Sequence, residues 1–219
     1  MEAAVMNQCE KEQLNTVNFL TVQAAGSRSF LFFKRLTDLI FSFLGLVVLS
    51  LPMLVIGLII RLDSPGPAFF RQERLGINGK PFLMYKFRSM HVNAEHDGPQ
   101  WATKNDYRCT RVGRFLRNSR MDEIPQLINI LRGEMSFVGP RPERACFYDE
   151  FKKYIPHFHK RLLVRPGLTG LAQVNGGYEL KPEEKIIYDL EYISKRSVKM
   201  ELFCLWKTVL IVFSHEGAR

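Results

Sequence analysis

A charge-free apolar run from Leu39 to Ile60 constrains this chain more than any other feature. At ~1.5 Å per residue, a straight helix of that length crosses the ~30 Å core of a bilayer. A plain transmembrane anchor is one outcome, and two details favour another. Pro52 lies inside the run. It has no N–H to donate, and its ring collides with the carbonyl four residues back, so it breaks or kinks a helix. Ser42 and Ser50 offer hydroxyls to backbone groups freed nearby. Both flanks are also basic, with Lys34 and Arg35 before the run and Arg61, Arg71, Arg74, Lys80, Lys86 and Arg88 after it. The positive-inside tendency then places both ends on the cytoplasmic side. A re-entrant helix that enters, bends at Pro52 and returns meets both conditions. Asp38, near the start of the run, must stay at the interface or find a partner.

The chain has 219 residues, enough for one domain with a real core. Its net charge of +9 points to a polyanionic partner: nucleic acid, anionic lipid or a phosphorylated substrate. Cys9, Cys109, Cys146 and Cys204 are scattered, without zinc-ligand spacing or a disulfide framework. Residues 1–29 read as a disordered tail or a loose helix and lack the pattern of a signal peptide. The expected division is a tail over 1–29, the membrane helix over 30–62 and a catalytic domain over 63–219.

After a stop at Ser64-Pro65-Gly66-Pro67, the stretches Ala68–Phe70 and Pro81–Tyr85 predict short strands. Gly76, Asn78 and Gly79 between them predict a hairpin turn. Lys86 and Arg88 alternate with Tyr85 and Phe87, which puts both cations on one side of an extended segment. Residues 91–106 are polar and turn-rich, a loop over the site. His91 and His96 there, like His157 and His159 further on, lack metal-ligand spacing. Arg111, Arg114 and Arg117 share one helix face.

The densest chemistry lies in Arg117–Glu143, where Asp122 and Glu123 are adjacent, flanked by Arg117 and Arg120. Pro125 suits a first helical position and Gly133 a C-terminal cap, with Leu127, Ile130 and Leu131 on an apolar face. The carboxylates then fall in the first turn of a helix. They either cap it or form a site with Gly139-Pro140-Arg141-Pro142, where a metal and an anion meet. Helix neighbours point ~100° apart, so one acid can be a nucleophile while the other holds a divalent cation. Residues 145–164 predict an amphipathic helical region broken at Pro156, and 183–193 a helix. Arg165–Gly177, with Gly167, Gly170, Gly176 and Gly177, predicts a tight loop able to bring backbone close to a ligand. Met200–Ser214 is apolar but too short to span, so it packs on the domain or lies in the membrane interface. The fold class is α+β: a Pro-broken membrane helix, then a mainly helical domain with a small β-hairpin and interfacial amphipathic helices.

Four stretches in order resemble one family: KRLTDLIFSFLGLVVLSLP, RQERLGINGKPFLMYKFRSM, RMDEIPQLINILRGEMSFVGPRPE and RPGLTGLAQVNG. Together they are similar to the bacterial sugar transferases, the monotopic phosphoglycosyl transferases acting on polyprenyl phosphate, in their minimal catalytic form. The resemblance covers roughly residues 33–213 and implies transfer of a sugar 1-phosphate from a UDP-sugar to undecaprenyl phosphate, with release of UMP. That is the first membrane step of exopolysaccharide, capsule, O-antigen or glycoconjugate synthesis. It implies that Asp122 attacks the sugar-bearing phosphate and forms a covalent intermediate, and that Glu123, with Asp122, holds Mg2+. Lys86, Arg88, Arg117, Arg141 and Gln173 become phosphate- or substrate-binding residues, and Ser50 and Pro52 the helix break. The implied place is the bacterial inner membrane with the catalytic domain facing the cytoplasm. Implied partners are membrane lipid, further copies of the chain and downstream glycosyltransferases, but not nucleic acid. The chain departs from the family pattern at Leu51, where serine commonly precedes the proline, and at Arg120-Met121, where a serine-leucine pair is common. The competing class is a membrane-anchored protein that binds anionic lipid or nucleic acid without catalysis. It gives Asp122 no role.

Overall fold

The computed structural model describes residues 22–96, 98, 106–176 and 180–214, and in it the apolar run forms two helices. Helix α1 (Arg28–Val48) is capped by Ser27, whose hydroxyl accepts from the Phe30 N–H. Helix α2 (Ser50–Asp63) follows after Leu49, bent by 60°. The bend therefore lies three residues before the predicted Pro52. The proline instead occupies the first turn of α2, where a missing N–H removes no bond within that helix. Ser50 donates its hydroxyl to Val47 O at 2.7 Å, beside the break. Among the described residues no single helix is long and apolar enough to cross a membrane, but the bent pair together passes by length and composition.

The two faces of α1 differ sharply. Phe32, Phe33, Phe41, Phe43 and Val48 are exposed, and α2 continues with exposed Leu51, Leu54, Leu58 and Leu62. The other face of α1 carries Lys34, Arg35, Asp38 and Ser42 against the rest of the chain. Asp38 is buried and accepts from Phe137 N at 3.1 Å. Arg35 donates to Ile130 O and Leu131 O at 2.7 and 2.9 Å. A cation thus meets the last carbonyls of a helix, where the dipole favours it.

Strands β1 (Phe69–Leu75) and β2 (Pro81–Phe87) form the predicted hairpin, each running on past its expected C-terminal end. The turn over Ile77–Gly79 places Asn78 at φ 55°, a conformation asparagine tolerates. Helix α3 (Arg111–Asn118) leads to a short 3-10 turn, Met121–Glu123, and then to helix α4 (Gln126–Arg132). Here the expectation is corrected. The two carboxylates precede α4 on their own 3-10 turn, and Pro125 is the N-cap residue rather than the first helical one. Gly133 ends α4 at φ 82°, as its C-cap position required.

Strand β3 (Ser136–Val138) pairs in parallel with β4 (Gly167–Thr169), joining the two glycine-containing motifs. The backbones touch so closely that a Cβ on Gly167 would lie 2.1 Å from Gly139 N, so only glycine fits. Between these strands lie helix α5 (Ala145–Phe151) and a 3-10 turn, Phe158–Leu163, separated around Pro156 as predicted. Helices α6 (Leu171–Val174), α7 (Pro182–Lys195) and α8 (Val198–Ser214) complete the chain. Ile186, Leu190 and Ile193 of α7 pack with Tyr148, Phe151 and Phe158 to form the larger core. Helix α8 is tied to α1 through Lys34–Glu201 at 2.5 Å and exposes Leu202, Trp206 and Val209. The predicted state of residues 1–21 falls outside the described residues, as do residues 99–105 of the polar loop and Gly177.

Candidate active site

Arg120 starts the site by adopting the left-handed conformation, φ 58°, just before Met121. A non-glycine residue held there costs free energy that surrounding structure must offset, and such residues gather at functional sites. The resulting tight turn carries Asp122 and Glu123, both buried, to the wall of a cavity of about 430 Å³. Lys86, Arg88, Arg117 and Arg141 line the same cavity. Five of the residues singled out from the sequence around 86–88, 117, 122–123 and 141 are therefore brought together with the sixth.

The two acids differ in their surroundings. Glu123 accepts from Lys86 Nζ at 2.9 Å and from the Arg141 guanidinium. Burial opposes its ionisation, but Arg141 and Lys86 outweigh burial and hold the carboxyl well below the usual range. Asp122 receives no hydrogen bond among the described residues. Burial is the largest influence on it and raises its pKa to about 6 against the opposing pull of Lys86, with Glu123 adding to the rise. One acid is thus a firmly ionised anchor for two cations. The other is a carboxylate with its oxygens uncommitted, which suits a nucleophile.

Arg141 is fixed from behind. Its backbone oxygen accepts from Arg161 at 2.9 Å, and Pro140 O accepts from Gly167 N at 2.9 Å. Arg161 in turn forms a buried pair with Asp189 at 2.7 Å. Arg117 reaches the cavity from α3 and directs Nη1 to Cys109 Sγ at 3.2 Å.

Two predicted binding residues are placed differently. Arg88 lines the cavity, but its guanidinium donates to Pro65 O at 2.7 Å and Ser64 O at 2.6 Å. It closes the end of α2 and ties the apolar helices to the site. Gln173 does not line the main cavity. It belongs to a small adjoining recess with Arg120, Arg141 and Lys185. Arg74, Glu143, Arg144 and Lys185 also line the main cavity and were missed by sequence reasoning. Arg74 pairs with Glu143 at 3.2 Å and Arg144 with Glu95 at 3.0 Å. The Pro142-Glu143-Arg144 run beside Arg141 was the available signal for two of them, whereas nothing local marks Lys185.

Among the described residues there is no cluster of three or more His, Cys, Asp or Glu side chains suited to a metal. Magnesium needs less, since one or two carboxylates suffice when phosphate oxygens and water complete its shell. Asp122 and Glu123 on one cavity wall fit that donor set, Glu123 only where Lys86 or Arg141 turns from it toward a phosphate.

The family model described as bacterial sugar transferase matches residues 29–215. The chain belongs to the bacterial sugar transferase family. Among its relatives, a UDP-glucose:undecaprenyl-phosphate glucose-1-phosphate transferase of Xanthomonas campestris pv. campestris is 41% identical over 216 residues. That alignment covers 94% of this chain and 45% of the relative. A UDP-N-acetylgalactosamine-undecaprenyl-phosphate N-acetylgalactosaminephosphotransferase of Aeromonas hydrophila is 41% identical over 86% of this chain and 45% of its own length. The exopolysaccharide production protein PSS of Rhizobium leguminosarum bv. phaseoli is 40% identical over 81% of this chain and 93% of its own. The chain thus spans under half the length of the first two relatives and nearly all of the third. All the positions that converge on the cavity lie inside the family match.

Proposed function

We propose that this sugar transferase moves a sugar 1-phosphate from a UDP-sugar to undecaprenyl phosphate, releasing UMP, through a covalent intermediate on Asp122. The observation that carries the reading is the contrast between Asp122 and Glu123: an uncommitted carboxylate beside one clamped by Lys86 and Arg141.

The first displacement forms a bond from an Asp122 carboxylate oxygen to the sugar-bearing phosphorus. It breaks the bond from that phosphorus to the bridging oxygen, and UMP departs with the electron pair. In the second displacement an oxygen of the lipid phosphate attacks the same phosphorus and frees the Asp122 carboxylate. Neither displacement requires an external oxidant or reductant. An anionic nucleophile must approach an anionic phosphate, so neutralisation dominates the barrier. Arg117 and Arg141 are suited to grip phosphate oxygens in bidentate fashion, and Lys86 offers a point charge. Magnesium, held by Glu123 and Asp122, would supply further neutralisation of the diphosphate.

The exposed apolar faces of α1, α2 and α8 support a seat in the bacterial inner membrane, with α1 and α2 as a re-entrant pair. Arg88 and Arg35 then fix the catalytic cavity at a set height above that seat, where a lipid phosphate and a soluble nucleotide can both reach it. The basic flanks of the pair favour the cytoplasmic side. The test is product analysis with undecaprenyl phosphate and a panel of UDP-sugars. UMP and a lipid diphosphosugar are expected. UDP as the nucleotide product would instead mean transfer of the sugar without its phosphate and would end this reading.

A further inference from the structure

We propose that helix α8 is a backing plate for the Arg141 loop, and that Glu201 and Thr208 are positioning residues that set how Arg141 meets the donor phosphate. This rests on the transferase reading above, in which Arg141 grips phosphate oxygens.

The sequence of α8 carries one inward stripe. Glu201, Cys204, Thr208 and Ile211 recur at intervals of three and four, which puts them on one helix face. None of these four is exposed, whereas Leu202, Phe203, Leu205, Trp206, Val209 and Leu210 between them are. Glu201 and Thr208 stand two turns apart, roughly 10 Å along the axis, and each reaches one strand of the parallel pair. Glu201 serves β3. Its Oε2 accepts from Lys34 Nζ at 2.5 Å and its Oε1 from the Tyr192 hydroxyl at 2.6 Å. Both donors also lie against Val138 O, at 3.1 and 3.0 Å. Lysine has three protons and serves both oxygens at once, while tyrosine has one to share. Glu201 thus aims two donors at the last carbonyl of β3, three residues before Arg141.

Thr208 serves β4. Its hydroxyl donates to Cys204 O at 2.6 Å, so it accepts the proton of Thr169 Oγ1, also at 2.6 Å. Thr169 O in turn accepts from Gly139 N at 2.8 Å. One helix therefore holds both strands from which the Gly139-Pro140-Arg141 loop springs. That loop has little freedom of its own. Pro140 has a fixed φ, and a Cβ on Gly139 would lie 2.4 Å from Arg165 O. A shift of either strand passes on to Arg141 instead of being absorbed on the way. Among the described residues none from α8 lines the cavity, so its influence runs through the strands. A gripping group misplaced by ~1 Å can slow a reaction about a hundredfold.

The experiment follows the sugar-phosphate adduct on the full chain in lipid discs by intact-protein mass, at low UDP-sugar and without acceptor. Thr208→Val and Glu201→Gln are each expected to slow its formation about tenfold. Thr208→Ser returns the hydroxyl and is expected to recover most of that loss. The deciding measurement is a pair of double-mutant cycles. Arg141→Lys and Arg117→Lys keep the charge but not the fork, so both chains still form adduct, at a lower rate. On the Arg141→Lys background Thr208→Val is expected to cost less than about twofold, because the grip it aligns is already lost. On the Arg117→Lys background it is expected to cost the full tenfold, because Arg117 comes from α3 and is not held by α8. Equal losses on both backgrounds would mean a general loosening of the fold and overturn the proposal, as would an unchanged rate in both single variants. Absence of adduct on the wild-type chain, with glucose, galactose and N-acetylated donors all offered, overturns the covalent reading itself, which distinguishes the two failures.

Discussion

At the residue scale, Asp122 and Glu123 show how neighbouring groups of one type are driven apart by their contacts. Their adjacency is plain in the sequence, and so is the supply of nearby arginines. The division of labour is not, because it depends on Lys86, which arrives from a different element. Arg88 shows the opposite failure. Its alternation with Lys86 put both cations on one side, and the family resemblance made both phosphate ligands, yet the carbonyls of Ser64 and Pro65 claim Arg88. Sequence spacing along β2 reveals nothing of how that loop returns. The raised Asp122 pKa has two consequences. In the proposed reaction the attacking form is the carboxylate, so kcat/KM for the first displacement should rise with pH through about 6 and level off above it. The folded state prefers Asp122 protonated, so an ionised Asp122 weakens the fold above pH about 6, and this effect disappears below the ordinary carboxyl range. Asp122→Asn should therefore raise unfolding stability at pH 8 by on the order of 2 kcal/mol and change it little at pH 4. Thermal unfolding at the two pH values checks this, and equal shifts at both would contradict the assigned cause.

At the element scale, helix α1 acts as both anchor and strut. Its apolar face was legible as a run of uncharged residues, and Asp38 stood out as needing a partner. The partner, the N–H of Phe137 in β3, lies far along the chain and leaves no local trace. The break was legible in kind and displaced in position. A proline's clash is with the carbonyl four residues earlier, so the chain bends ahead of the ring, at Leu49. The parallel pairing of β3 with β4 was invisible for a similar reason: each strand is three residues long and carries no periodic pattern. The contact at Asp38 gives a test. Asp38→Ala leaves the half-buried Phe137 N–H unpaired, and should destabilise the fold by about 1 kcal/mol. Asp38→Asn keeps an accepting oxygen and should cost less. Unfolding of both variants in lipid discs checks the order, and the reverse order would show that charge, not the hydrogen bond, matters there.

At the scale of the whole molecule, three apolar helix faces and one charged cavity are joined by short polar bolts: Arg88 to the end of α2, Arg35 to the end of α4 and Lys34 to Glu201. That construction suits an enzyme drawing one substrate from water and another from lipid. The re-entrant reading requires residue 1 and the catalytic cavity on the same membrane face. A single cysteine placed near the N-terminus of a cysteine-free variant should resist an impermeant thiol reagent in intact cells and react once they are opened. Labelling in intact cells would instead indicate a spanning anchor. The central claim is the covalent bond to Asp122, and intact-protein mass tests it most directly. The chain is incubated with magnesium and the UDP-sugar that it uses, without lipid acceptor. The wild-type chain should gain the mass of one sugar phosphate, and Asp122→Asn should gain none. The same mass gain on Asp122→Asn would contradict the account.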